Sequence, residues 1–329
     1  MRIKVGIIGT GIGLKHLEAI NNFKGSKVKT IVEMNKKKIT KLKKEFPQLD
    51  ISTDENKIFN DKEINLVSIA SYDNYHFKHV TRALNNNKNI IVEKPLCLNI
   101  EELKEVKRIL KKKKLRMISN LVLRKNSLFK KFKQIIKRDK IYYIEGDYLW
   151  GRKSKLFGWR SKVKNYSSTL GAGIHIFDLI LWITGKKPVY VSTFGNSIAS
   201  KNTVFKKESF LIYILEFKNN LVAKVTANLA CSYNHFHEIK IFGKQNTLVH
   251  SLPSTYKFIS RKNVNIFKKI KTNYPENHNK KKLIQDFIQK LNKKKINVMS
   301  HQDQFDLMSL CFAADKSYKI KKKVKIKYI

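Results

Sequence analysis

The chain has 329 residues, with 69 Lys and Arg against 25 Asp and Glu, a formal net charge of +44 and three cysteines. That length buries a sizeable core and suits two domains, while no run approaches the ~18 consecutive apolar residues of a membrane span. Cys97, Cys231 and Cys311 are scattered and suggest no disulfide framework. "MRIKVGIIGTG" lacks the apolar core and cleavage site of a signal peptide, so a reducing, cytoplasmic setting is expected. The charge raises a nucleic-acid or anionic-membrane binder. Against that, arginine is sparse, the lysines are spread along polar faces and element ends, and no nucleic-acid module is visible. Solvated faces account for the lysines, with weak polyanion binding at low salt as a consequence.

From the start, strand and helix signals alternate, which argues for a parallel sheet. "IKVGIIG", "VKTIVE", "INLVSIA", "NIIVE" and "LRMISN" read as strands; "LKHLEAINNF", "KKKITKLKKEF", "YHFKHVTRALNNN" and "NIEELKEVKRILKKK" read as helices. Apolar runs without alternation suit strands covered on both faces. After residue 120 the pattern changes. A helix "NSLFKKFKQIIKR" leads to the alternating "YYIEGDYLW", a loop from Gly151 to Ser168, and an apolar helix "GIHIFDLILWITG" stopped by Gly185. Strands then follow one another: "PVYVSTFG", "SFLIYILEF", "LVAKVTAN", "HEIKIFG" and "NTLVHS", with Asn219–Asn220 at a hairpin turn. "KKLIQDFIQKLNKKK" and "HQDQFDLMSLCFAADKSYK" close the chain as helices, the last with Ser300 and Asp303 as its cap. The expected architecture is α/β: a doubly wound parallel sheet over residues 1–120, then an α+β domain over 121–329 with a large, mainly antiparallel sheet.

Three motifs carry chemistry. Gly9-Thr10-Gly11-Ile12-Gly13 follows the first strand and opens a helix, where glycines let backbone approach a pyrophosphate held by free N–H groups. The third glycine falls one residue early for the standard fingerprint, and a purely structural turn fits equally. Glu33 ends the second strand, where an acid accepts both ribose hydroxyls of NAD and repels the 2′-phosphate of NADP; Lys36 to Lys38 keep NADP open. The second motif is Glu93-Lys94-Pro95 at the carboxyl end of the fourth strand, the edge that faces the ligand crevice. Proline restricts Lys94 to extended backbone, and an X–Pro bond adopts cis at modest cost. A lysine so aimed can polarise an alcohol oxygen, with Glu93 orienting it or pinning the loop; the plain alternative is one more surface lysine. The third is His175 in the first turn of the apolar helix, with Asp178 on the same face, a proton carrier or a satisfied core histidine.

Together "VGIIGTGIGLKH", "VEKPLCLN", "GIHIFDLILWITG" and "AADKS" resemble the Gfo/Idh/MocA family of NAD(P)-dependent oxidoreductases, in the family's order and over the whole chain. The resemblance implies a Rossmann domain followed by an open-faced sheet domain, an NAD(P) cofactor (NAD by the Glu33 reading, with NADP open), Glu93, Lys94 and Pro95 beside it, and Lys94 and His175 flanking the substrate carbon opposite the nicotinamide. It also implies a cis Lys94–Pro95 bond. One departure stands out: many members carry an Asp four residues before the histidine, and this chain has Gly171 there.

Weaker substrate candidates are Asn120 and Arg124 in "SNLVLRKN", which also suit ordinary capping, and Asp178 beside His175. Arg160 suits a carboxylate or phosphate, and its neighbour Trp159 suits a stacked sugar or a core position. His235 and His237 lie two apart on a strand; no third ligand has metal-site spacing, so a polar pocket wall or plain sheet surface is preferred. His16 and His76 lie near the nucleotide and crevice turns. The expected activity is hydride transfer between a nicotinamide and a hydroxyl-bearing carbon of a sugar, polyol or nucleotide-linked sugar. A non-catalytic NAD sensor of the same fold is the alternative, and a nucleic-acid binder a third. Apolar residues on both parities of "SFLIYILEF" and "LVAKVTAN" predict a homo-dimer or homo-tetramer through the second-domain sheet.

Overall fold

The computed structural model describes residues 3–261, 264–292 and 295–329. It divides into two compact units, the first of residues up to Val122 joined by Asn277–Phe305, the second of Leu123–Glu276 and Asp306–Ile329. In the first unit the order is β1 (Ile3–Ile8), α1 (Gly13–Asn21), β2 (Ser26–Val32), α2 (Lys36–Glu45), β3 (Asp50–Ser52), α3 (Asn56–Phe59), β4 (Leu66–Ile69), α4 (His76–Asn85), β5 (Asn89–Val92), α5 (Ile100–Lys112) and β6 (Met117–Ser119). The six strands form one parallel sheet, ordered β3-β2-β1-β4-β5-β6. This order reverses direction between β1 and β4, where doubly wound sheets open a crevice at the carboxyl ends. The strand centres are mainly apolar (Val5, Ile7, Val67, Ile69, Ile90 and Ile91 are all buried), as a sheet covered on both faces requires, with Thr30 and Ser68 as buried polar exceptions. β3 was not foreseen: three residues beginning with Asp carry no periodicity to read.

The second unit begins with α6 (Ser127–Ile136), β7 (Ile141–Leu149), α7 (Trp159–Lys162) and α8 (Ile174–Thr184). β8 (Pro188–Asn196), β9 (Phe210–Phe217), β10 (Val222–Asn228), β11 (Phe236–Gly243), β12 (Asn246–His250), β13 (Thr255–Arg261) and β14 (Val264–Ile270) follow. Next in the chain come α9 (Asn279–Leu291), which belongs to the first unit, then α10 (His301–Ile320) and β15 (Val324–Lys325). The sheet has nine strands in the order β14-β13-β12-β11-β7-β10-β9-β8-β15, antiparallel except where β10 lies parallel to β7. α8 packs against β7, and Gly146 makes the approach possible: a Cβ there would fall 2.4 Å from Ile176. Gly185 ends α8 in the left-handed region (φ 64°), and Asn220 does the same at the β9–β10 turn (φ 61°), both as expected.

The sequence placed residues 277–305 with the second domain. They belong to the first unit because α9 turns Leu283, Ile284, Phe287 and Ile288 inward and packs on α1. Ser300 and Asp303 form the expected reciprocal cap at the head of α10, with Asp303 N–H donating to Ser300 Oγ at 3.0 Å and Ser300 N–H to Asp303 Oδ2 at 3.1 Å. No helix among the described residues is long and apolar enough to cross a membrane.

Candidate functional site

The glycine turn after β1 is built for close approach. Gly9 has φ +88°, and a Cβ there would fall 2.5 Å from the Ala70 carbonyl oxygen, so only glycine fits. Gly11 has open space where a side chain would stand, and Gly13 lets α1 lie close on Ile7. A cavity of about 580 Å³ opens here, its walls including Gly9, Thr10, Gly11, Glu33, Lys38 and Ser71. Ile12 precedes α1 as its cap residue. Glu33 stands just past β2. Its Oε2 accepts from Thr10 N–H at 3.2 Å and from the Thr10 hydroxyl, and its Oε1 accepts from Asn35 N–H at 2.9 Å. Burial pushes this carboxyl up, but the Thr10 and Asn35 donors and the Lys38 charge outweigh it and hold it below its ordinary value. The cavity thus meets an anionic acceptor, suited to ribose hydroxyls.

The turn after β5 is pinned on both sides of Lys94. Glu93 Oε1 accepts from Lys280, from Asn120 Nδ2 at 2.6 Å and faces His16 Nε2 at 3.0 Å. Burial alone would raise Glu93; the Lys280 charge and the His16 and Lys280 donors instead hold it far below the carboxylate range. Lys94–Pro95 is cis, as the resemblance implied. His76, fully buried, spans 2.6 Å from Nδ1 to the Pro95 carbonyl and 3.0 Å from Nε2 to the Ser71 carbonyl, tying this turn to the cavity wall. His16 and His76, expected near cofactor or substrate, are therefore internal braces; the other ring nitrogen of His16 sits 2.7 Å from Ser68 Oγ. Asn120 is likewise buried, its amide spent on Glu93. Lys94 itself is half-buried between two anchored neighbours.

In the second unit, one turn of π-helix (Thr169–Gly173) leads into α8. Thr169 bonds the Asp315 carboxylate and lies 3.0 Å from the Tyr213 hydroxyl; burial pushes Asp315 up to about 6. Gly171, where the resemblance expects an acid, faces the Tyr166 ring: a Cβ would fall 2.2 Å from the Tyr166 hydroxyl, so any side chain there requires that tyrosine to move. A phenol stands in that place, on the face of the helix that carries His175 one turn later. Unlike a carboxylate it is uncharged and can donate as well as accept.

His175 is half-buried and lies face to face with Tyr148 of β7, ring centroids 5.4 Å apart and planes within 9°. Strand register sets Tyr148 opposite His237 of β11, and the rings of His237 and His235 meet it edge-on at 4.9 and 5.5 Å. His237 Nδ1 bonds the Tyr274 hydroxyl, and His235 Nδ1 lies 3.2 Å from the Leu149 carbonyl. Burial, with His235, His250 and the Arg152 charge adding to it, pushes His237 down to about 3. The remaining candidates find partners of their own. Arg124 and Asp178 pair with each other, Nε to the two carboxylate oxygens at 2.9 and 3.0 Å and Nη2 to Oδ1 at 2.6 Å. Arg160 stacks its guanidinium over Trp159 and Trp150, 4.4 and 5.0 Å from the ring centroids. Tyr148, Tyr166 and Tyr274 were missed. The alternation of "EGDYLW" placed Tyr148 on the face of Gly146, but neither Tyr274 nor Tyr166 has a local pattern that marks it.

A model of the oxidoreductase family with an NAD-binding Rossmann fold matches residues 3–121, and one of the GFO/IDH/MocA C-terminal domain matches residues 129–249. Among curated proteins, the chain is 24% identical to glucose-6-phosphate 3-dehydrogenase of Bacillus subtilis over 277 residues, covering 79% of this chain and 78% of that one. It is 26% identical to the scyllo-inositol 2-dehydrogenase (NADP(+)) of the same organism over 192 residues, covering 56% and 52%. Myo-inositol 2-dehydrogenase from Lactobacillus plantarum shares the fold at a TM-score of 0.85 and 18% identity, with 99% and 100% of the two chains covered. Scyllo-inositol dehydrogenase from Lactobacillus casei, solved with NAD(H) and scyllo-inositol, does so at 0.83 and 18%, with 99% of each chain covered. The first unit's residues fit the dinucleotide such proteins use: a glycine-only turn, open space at Gly11 and an anionic acceptor at Glu33, all on one cavity. With both halves matched in order, the chain belongs to the Gfo/Idh/MocA family of NAD(P)-dependent oxidoreductases acting on CH–OH groups.

Proposed function

We propose that the substrate is a sugar, a polyol or a nucleotide-linked sugar, oxidised or reduced at one secondary alcohol carbon. The observation that carries this reading is the Glu93–Lys94–Pro95 turn, braced by three donors on Glu93 and tied through His76 to Ser71 in the cavity wall. These anchors fix the backbone from which the Lys94 side chain projects, which supports a role beyond solvation. The bound dinucleotide supplies the hydride acceptor or donor. Lys94 donates a hydrogen bond to the hydroxyl oxygen and stabilises the negative charge that develops there. The family resemblance assigns the hydroxyl proton to His175, which takes it in oxidation and returns it in reduction, and Tyr148 stacks on its ring. The Arg160 guanidinium, preorganised by Trp150 and Trp159, favours an anionic substrate. Gly171 favours one second reading, a non-catalytic NAD(H) sensor, since glycine supplies no acid beside His175 from that position.

A screen of NADH absorbance against inositols, sugars, sugar phosphates and nucleotide sugars, with NAD and NADP in parallel, tests the reading. Turnover of at least one member is expected, with NAD preferred because Glu33 faces the cavity as an anion. Binding of NAD without turnover of any member would favour the sensor.

The reading includes self-association through the second-unit sheet. On its open face Ile212 and Ile214 lie half-buried, Phe194 is 62% exposed and Tyr143 stacks on Phe242 at 5.6 Å. A central ladder of ion pairs, Glu145–Lys240 at 3.1 Å and Asp147–Lys224 at 3.2 Å, neutralises the face's charge. Sedimentation at micromolar concentration is expected to give a dimer or tetramer; a monomer would refute this part.

A further inference from the structure

One wall of the cofactor cavity is a hydrogen-bond relay with a single permitted direction. Ser71, just past β4, lies with Oγ 3.0 Å from Nδ1 of His79 on α4; His79 Nε2 lies 3.0 Å from Oε1 of Glu55, which caps α3. All three residues line the cavity. Glu55 Oε2 is engaged by Arg82 and by Lys78 at 3.3 Å, and the Arg82 guanidinium sits 4.3 Å over Phe59. The His79 ring, only 3% exposed, is stacked with both Tyr75 and Phe59, at 6.1 and 6.4 Å between centroids. Its plane is therefore set by packing as well as by hydrogen bonds.

Burial holds His79 below its ordinary value, with Lys78 and His76 adding to this and Glu55 opposing it, so the ring is neutral near pH 7. Burial pushes Glu55 up, but His79 and Lys78 outweigh it and keep the carboxylate ionised. An ionised carboxylate only accepts, which places the imidazole proton on Nε2 and leaves Nδ1 as an acceptor. The Ser71 hydroxyl hydrogen must then point at Nδ1. Its oxygen offers the cavity lone pairs and no proton.

We propose that Ser71 is a dedicated acceptor for a donor group of the bound dinucleotide, a hydroxyl or a carboxamide N–H, with His79 and Glu55 as the positioning residues that prevent Ser71 from donating to a phosphate oxygen. This rests on the cofactor reading of the cavity and adds to it a specificity that the glycine turn and Glu33 do not supply. Protonated, His79 carries N–H on both nitrogens and donates to Ser71, which swings the hydroxyl hydrogen into the cavity. Acid therefore turns the site from acceptor to donor. The charged or titratable groups facing the ring are Glu55, Tyr75, Lys78, Arg82 and His76, with Glu33, Lys38 and Tyr72 elsewhere on the cavity wall. Both carboxylates are held below their ordinary values and stay ionised through this change.

The test is calorimetric titration of the full chain with NAD+ and with ADP-ribose from pH 5.5 to 8. Wild-type affinity for NAD+ is expected to fall towards pH 5.5. Ser71→Ala should weaken NAD+ by about tenfold at pH 7.5, the loss of one net hydrogen bond. His79→Gln can mimic the relay, its amide N–H to Glu55 and its carbonyl to Ser71, but cannot titrate. It should bind within about threefold of wild type at pH 7.5 and without the acid-side loss. A Ser71 effect on both ligands places the donor in the ADP-ribose portion, and an effect on NAD+ alone places it on the nicotinamide; either supports the proposal. Wild-type affinity in Ser71→Ala, or an unchanged acid-side loss in His79→Gln, would overturn it. If His79→Gln does not fold, Ser71→Ala decides alone. Failure of the wild type to bind any dinucleotide would instead sink the cofactor reading.

Discussion

Alanine at position 94 is expected to lower turnover by about a thousandfold, in the range of a lost acid–base or oxygen-polarising group, while the NAD+ dissociation constant changes by less than about threefold. Truncation removes the ammonium and leaves its supports. Glu93 stays bound to His16, Asn120 and Lys280, and the Pro95 carbonyl stays on His76. The cavity residues around Gly9–Gly11 and Glu33 do not depend on the Lys94 side chain for their hydrogen bonds. Steady-state kinetics on a substrate from the screen, with NAD+ titration in parallel, separates the two quantities. Equal losses in both would show that Lys94 binds cofactor and does no more; unchanged turnover would return it to the many solvated lysines.

A steep loss of stability on mild acidification is the second large effect. Burial holds His237 down at about 3 and His250 at about 4, against about 6.5 in an unfolded chain. His250 is 2% exposed, and its Nε2 is without a hydrogen-bond partner among the described residues. Between pH 6.5 and those folded values the unfolded chain binds protons that the folded one refuses, so stability falls as pH falls. Two such groups account for about 4 kcal/mol between pH 7 and pH 5. His16, His79, His235 and His301 are shifted the same way and add to the slope. Glu93, depressed in the folded state, contributes stability that is lost only at lower pH, as acid protonates it. Denaturant unfolding at pH 7, 6 and 5 checks this, and His237→Gln with His250→Asn should flatten the profile. A midpoint that does not move between pH 7 and 5 would contradict it.

Much of the site was legible because its motifs are local. Gly9 and Gly13 follow from a strand meeting a helix, and Lys94 from a strand end followed by proline. What Glu93 does was not legible. Its partners His16, Asn120 and Lys280 come from three separate stretches of chain, and Lys280 belongs to the segment that the sequence assigned to the other domain. The pairing of Arg124 with Asp178 was equally hidden. Both were read as reaching for substrate, since a sequence shows a charged residue without showing its counter-ion.

By itself the sequence determined the longer elements up to β12 and the two closing helices, though not β3, β13, β14, β15, α3 or α7, together with the parallel and mainly antiparallel halves, the glycine turn, the strand-end lysine and the histidine at the head of an apolar helix. Each follows from periodicity, turn chemistry or the steric limits of proline and glycine, which act over a few residues. Tertiary structure alone decided that α9 returns to the first unit, that Tyr166 fills the space at Gly171, that Tyr148 carries His175 on its face, and that Ser71, His79 and Glu55 form one relay. Those are contacts between distant stretches of chain, set by sheet register and by the volume left between packed elements, and no local pattern encodes them.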